Sequence, residues 1–277
     1  MTRLVPNLAL LVAAALWGAT FTLVKASVAT LSAEAFLFWR FLLAALILIA
    51  IAGLARAFTR DAMRYGLLLG LFLLAGFWLQ TRGLVITTPT RSAFLTSVAV
   101  ILVPLIDFAV YRTRVATPAL VAAFLALAGV GIMVGGFGGS LNLGDVLTLG
   151  CAVAFAFHLI VTARGARRAS PLGLVAVQVS VVAIAFGPYV LSRPIERVSR
   201  TALAGILISA VVTTVITFLL LTWAQARVSA TDAAVMLSFE PVAAAITSIG
   251  YSGEAATVSL VAGGMLIVVA MILAQRE

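Results

Sequence analysis

Ser229 to Thr247 reads SATDAAVMLSFEPVAAAIT, an apolar run with a carboxylate, Glu240, directly before Pro241. With a helix starting near Thr231, Glu240 lies about 13 Å in, at about 1.5 Å per residue. That depth is close to the middle of a hydrocarbon layer about 30 Å thick. A carboxylate placed there is expensive and faces a bundle interior or a wet cavity. An earlier stretch, Thr87 to Val100 (TTPTRSAFLTSVAV), aligns with Ser229 to Val242 at a constant offset of 142. Val98 then falls on Glu240, so two halves share one pattern and only the second carries the acid.

The rest of the chain agrees with a membrane setting. Hydrophobic residues make up 64% and charged residues 10% of the 277 positions, against about 45–50% and about 25% in soluble domains. The expected class is an all-α integral membrane protein with about ten spans of roughly 20 residues. A net charge of +9 would suggest nucleic acid in a soluble protein. Here the basic residues fall mostly between apolar runs, as topology signals do, so membrane lipid rather than nucleic acid is the expected surrounding. Cys151 is the only cysteine and His158 the only histidine. That excludes a disulfide framework and makes a structural metal site improbable. No cofactor is expected. The opening MTR and its apolar run resemble a signal peptide, but the pattern continues into further spans and reads as an uncleaved first helix.

Ten spans can be placed, from Pro6–Lys25, Ala33–Gly53, Ala62–Leu84, Pro89–Tyr111 and Thr117–Gly135 to Val146–Arg164, Pro171–Leu191, Ala202–Gln225, Thr231–Tyr251 and Ala256–Ala274. A Gly-rich stretch after Gly135 marks the midpoint. The expected domains are residues 1–137 and 142–277, joined by a linker at 138–141. Eleven basic residues fall on the side of the N-terminus and six opposite, with Arg40 inside span two. The positive-inside rule then puts both termini in the cytoplasm. Further repeat matches join Ala14–Phe21 to Ala152–Leu159, and Ala116-Thr117 to Ala256-Thr257. Each half has an odd number of spans, so the halves are inverted, as in many transporters with a site at the repeat interface.

Trp17-Gly18-Ala19-Thr20-Phe21 in span one, Ser238-Phe239-Glu240-Pro241 in span nine and the Gly-containing ends of spans five and ten carry a family likeness. Over essentially its whole length the chain resembles the drug/metabolite transporter superfamily in its ten-helix form, two EamA-type repeats. Its length and its aromatic-rich spans one, three and six look most like bacterial aromatic amino-acid exporters. The family's acidic turn is matched after span nine by Gly253-Glu254, whereas span four ends in Tyr111-Arg112. The resemblance implies a bacterial inner-membrane exporter that works as a monomer on a small-molecule substrate.

Trp17, Thr20, Phe21 and Val24 share one helical face by i, i+3, i+4 and i+7 spacing. Phe155, His158, Leu159 and Thr162 form the repeat-related face of span six, and Trp78 with Thr81 offers a third wall. Phe94, in the earlier copy of the Glu240 stretch, completes the candidate lining. These aromatics suit either a cavity or plain bundle packing. His158 suits either a ligand or proton acceptor, or a neutral interhelical hydrogen bond. Lys25, near a span end, suits snorkelling. Arg40 sits deeper; both are candidate partners for a substrate carboxylate. Asp107 is expected near solvent. Pro104 and Pro241 are candidate hinges, because proline removes a helical hydrogen bond. Glu240 is read as binding a substrate ammonium, exchanging a proton or holding a packing hydrogen bond.

The expected function is a secondary transporter exporting aromatic and other neutral amino acids by alternating access through a cavity between the repeats. The sole lysine follows Val24, so no Walker loop exists, and the chain lacks an enzyme's nucleophile elbow or HExxH motif. A channel remains as an alternative class. Drugs, nucleobases or sugars remain as alternative cargo.

Overall fold

The computed structural model describes residues 4–113, 116–133, 141–194, 196–252 and 257–274. All of the expected linker except Leu141 lies outside them, as do Gly135, Gly253 and Glu254. The described chain is all-helical. Helices α1 (Leu4–Val28), α2 (Ala33–Leu54) and α3 (Arg60–Ile86) form the first three spans. Helices α4 (Pro89–Ser97) and α5 (Ala99–Tyr111) make the fourth, and α6 (Thr117–Met133) the fifth. The second half repeats the order with α7 (Leu143–Gly165) and α8 (Pro171–Leu191). Its eighth span joins α9 (Arg200–Ile208), a π-helical stretch (Ser209–Ile216) and α10 (Thr217–Gln225). Helices α11 (Ala230–Leu237) and α12 (Glu240–Ser252) are the ninth span and α13 (Val258–Ala274) the tenth. Among the described residues, seven helical segments are long and apolar enough to cross a membrane; α6 and α13 are shorter apolar helices.

The helices start where side chains can satisfy free backbone N–H groups. Ser32, Thr59, Thr88, Ser170 and Ser199 each accept an N–H three residues on. Asn142 with Asp145, and Ser229 with Asp232, form reciprocal capping boxes. Large apolar side chains such as Leu46, Leu71, Phe124, Ile184 and Ile272 stay exposed, as a lipid-facing belt requires.

Packing follows the repeat. Helix α6 lies along α13, and α2 along α8, so spans five and ten, and spans two and seven, meet their own repeat partners. Helix α1 packs on α12, and its counterpart α7 packs on α4 and α5. The two halves are inverted five-helix repeats. Glycines permit the closest approaches. A Cβ on Gly18 would collide with the Glu240 carbonyl and come 2.8 Å from the Ala244 nitrogen. One on Gly129 would come 2.7 Å from the Gly263 carbonyl. Gly66 and Gly70 admit Val177 and Val181 of α8.

Two spans are broken at repeat-related levels. The fourth is interrupted at Val98 and the ninth at Ser238-Phe239. At each break a serine hydroxyl turns back on its own helix: Ser97 donates to Ala93 O at 2.8 Å, and Ser238 to Val235 O. Such back-bonding competes with the helical ladder and bends it. Pro241 is the second residue after the ninth-span break. Pro104, the other candidate hinge, sits inside α5, and its span is interrupted six residues earlier, at Val98. The eighth span, expected over Ala202–Gln225, contains a π-helical stretch at Ser209–Ile216. Its π stretch is held partly by threonines, with Thr213 Oγ1 donating to Ser209 O at 3.1 Å and Thr217 Oγ1 to Val212 O at 2.8 Å.

Candidate functional site

A cavity opens between the repeats. Its walls come from α1, α2, α3, both broken spans, α7 and the eighth span. From α1 it receives Trp17, Thr20, Phe21 and Val24, the face that helical spacing assembles. From α7 it receives Phe155, His158 and Leu159, at the repeat-related level. Thr81, Arg40 and Glu240 also line it.

The aromatic wall is a connected cluster. Trp17 meets Phe218 edge-on at 5.3 Å between ring centres, Phe77 meets Phe155 at 5.4 Å, and Phe77 lies 6.1 Å from Phe218. The Trp17 indole N–H donates to Thr213 O at 2.9 Å, on the π stretch. That register loosens the ordinary backbone ladder, and π-type bulges are frequent at functional sites for this reason.

His158 is buried, with its ring 5.8 Å from Phe218 and Nε2 2.6 Å from Gln178 Oε1. The amide oxygen accepts, which places the ring proton on Nε2 in this arrangement. Arg40 is 3% exposed. Its Nε donates to Thr214 Oγ1 at 2.8 Å and its Nη2 to Thr213 Oγ1 at 3.2 Å, while its carbon centre lies 4.5 Å above the Phe77 ring. Glu240 opens α12 directly behind the break and is half-buried. Among the described residues, no ion pair engages its carboxylate.

Other expected site residues lie elsewhere. Trp78 is 42% exposed and does not line the cavity; its N–H donates to Glu34 Oε1 at 2.9 Å, beside Arg82. Helix α3 instead turns Phe77, Gln80, Thr81 and Leu84 inward. Phe94 is 2% exposed and belongs to the packed core. Lys25 does not line the cavity either. Its ammonium donates to the carbonyls of Leu84, Val85 and Thr87 at the end of α3. Asp107, expected near solvent, is 7% exposed and pairs with Arg164 at 2.7 Å. Phe77, Gln80, Thr213 and Phe218 were not singled out from the sequence. The Phe77–Gln80–Thr81–Leu84 spacing is as regular as the face of α1 and could have revealed the first two.

Inverted five-helix repeats around a central cavity, with helices broken at its level, define a membrane transporter. The chain belongs to the EamA-like transporter family, whose pattern matches residues 4–135 and again 142–275. It is accordingly a multi-pass transporter and not an enzyme. A protein of Archaeoglobus fulgidus described as an uncharacterized transporter is 30% identical over 273 residues, covering 98% of this chain and 86% of its own length. A protein of known crystal structure shares the fold with a TM-score of 0.78, at 19% identity, over 97% of this chain and 96% of that one.

Proposed function

We propose that the chain is a secondary transporter that exports aromatic and other neutral amino acids across a bacterial inner membrane by alternating access. The observation that carries this reading is the cavity wall of Trp17, Phe21, Phe77, Phe155 and Phe218, which faces polar groups including Glu240. Rings arranged edge to face provide a stacking surface worth about 0.5–1.5 kcal/mol per aromatic pair beyond area burial. The paired breaks at Val98 and Ser238-Phe239 supply places where two spans can bend without unfolding. The basic residues support cytoplasmic termini, and the working unit is taken to be a monomer driven by the substrate gradient or by protons.

Counterflow into liposomes containing the purified protein tests this. Phenylalanine and tryptophan inside should draw labelled phenylalanine inward, threonine should do so more weakly, and uridine, glucose and a cationic dye should not. Counterflow by nucleosides, sugars or dyes without amino acids would replace the proposed cargo. Single-channel currents in a planar bilayer would replace the mechanism.

A further inference from the structure

We infer that the cargo must carry a carboxylate, which seats against the Arg40 guanidinium. The inference rests on the proposed cavity being the transport site, and it names what that site selects.

A guanidinium is charged at any working pH, and taking one out of water without a counter-charge is costly. Arg40 lies about 10 Å along α2 from its start, at about 1.5 Å per residue, and is almost wholly buried. What it touches is neutral: the hydroxyls of Thr214 and Thr213, the Thr213 carbonyl at 3.5 Å, and the faces of Phe77 and Phe41. Among the described residues the ion pairs are Arg82–Glu34, Arg91–Asp145 and Arg164–Asp107, and Arg40 takes part in none. Hydroxyls and ring faces offset part of the lost hydration; among the described residues no ion pair supplies a full counter-charge.

The hydrogen bonds use Nε and Nη2 and leave Nη1 without one among the described residues. Both hydroxyls come from consecutive residues of the π stretch, Thr213 and Thr214. The same carbonyl of Thr213 accepts the Trp17 N–H, so the cation is tied to the aromatic wall. A carboxylate meets a guanidinium through short, charge-assisted hydrogen bonds. Glu240 lines the same cavity yet forms no ion pair with Arg40. The site thus keeps a cation and a carboxyl group apart, and an α-amino acid presents the complement of both. Sugars, nucleobases and cationic drugs would leave Arg40 uncompensated.

The test is ligand binding to the purified full chain, followed by intrinsic tryptophan fluorescence and by thermal shift. The ligands are L-phenylalanine, 3-phenylpropionate, L-phenylalaninamide and phenethylamine. Losing the carboxylate should weaken binding about 30-fold, within the range of a charge-assisted hydrogen bond. Arg40→Gln should abolish the preference for phenylalanine over its amide, and Arg40→Lys should keep part of it. Thr214→Val should weaken phenylalanine and spare phenethylamine. Equal affinity for phenylalanine and its amide in the unaltered protein overturns the inference while amino-acid transport stands. Binding of phenylpropionate through Arg40, with no amino acid bound, supports the inference and overturns the proposed cargo. If no carboxylate binds, both fall. Should Arg40→Gln not fold, the ligand series on the unaltered protein decides.

Discussion

Trp17 both walls the cavity and ties two spans together, through its contact with Phe218 and its hydrogen bond to Thr213 O. Trp17→Ala should weaken phenylalanine counterflow more than threonine counterflow, by about 2–12-fold from the lost ring contact. Trp17→Phe should restore much of that difference, since it keeps a ring and loses only the N–H. Phe77→Ala should behave like Trp17→Ala, and Trp78→Ala should leave the phenylalanine-to-threonine ratio unchanged because Trp78 lies outside the cavity. Equal losses on both substrates at Trp17 and Phe77 would mean damage to the bundle alone. Glu240→Gln keeps size and hydrogen-bonding capacity but removes titration. If the carboxyl group carries proton or ammonium chemistry, that variant folds yet loses transport or its dependence on pH; unchanged rates and pH profile would leave a packing role. The α1 face was legible because four residues at helical spacing agree in character. Phe77 and Trp78 were not separable, since periodicity gives a helix's repeat but not which adjacent aromatic turns inward.

At the level of elements, ten spans and their two-fold repetition were readable from apolar length and from the offset of 142. The interruptions were less so. Of the two candidate hinges Pro241 adjoins a break and Pro104 lies within α5, while Val98, an unremarkable residue, carries the fourth-span break. Ser97, whose hydroxyl bonds back to Ala93, adjoins that break, but Ser180 and Thr162 make the same bond in unbroken helices, so a hydroxyl in an apolar span has no unique reading. The π stretch is similarly hidden, because SAVVTTVI is equally compatible with an ordinary helix. Gly18 is the opposite case: it stands in the recognisable Trp17–Phe21 stretch, and the structure shows why its size matters. With the Glu240 carbonyl and Ala243 pressed against it, Gly18→Ala should force α1 from α12 and destabilise the protein by about 1–3 kcal/mol, as overpacking does. A thermal midpoint equal to the unaltered protein's in the same detergent would show that this contact gives way freely.

Across the whole molecule, eleven basic residues against six predict cytoplasmic termini; a reporter fused after Glu277 and active only in the periplasm would reverse that orientation. The same inverted frame bears on which parts move. At one end of the fourth span Arg91 pairs with Asp145 of α7 at 2.8 Å; toward the other, Asp107 pairs with Arg164 of α7 at 2.7 Å. Spans four and six are therefore clasped on both sides of the Val98 break. Among the described residues the repeat-related spans nine and one show no such clasp; the offset of 142 carries Arg91 onto Ala233 and Asp107 onto Ile249. Each clasp is partly buried, and breaking one by removing a single partner leaves a charge poorly hydrated. Under the proposed alternating-access mechanism, the expected path of least resistance is movement of α12 against α1, where Gly18 provides a close backbone contact. Spin labels at Thr88→Cys with Leu143→Cys, and at Ala26→Cys with Ile249→Cys, can report this by pulsed dipolar spectroscopy; the native Cys151 is fully buried and should stay unlabelled. Saturating phenylalanine should shift or broaden the distance distribution of the 26–249 pair and leave the 88–143 pair unchanged. Removing the clasp at that end with Arg91→Gln should then make the 88–143 distribution broader. A shift confined to the 88–143 pair in the unaltered background would place the moving boundary at the clasped spans and reject the asymmetry.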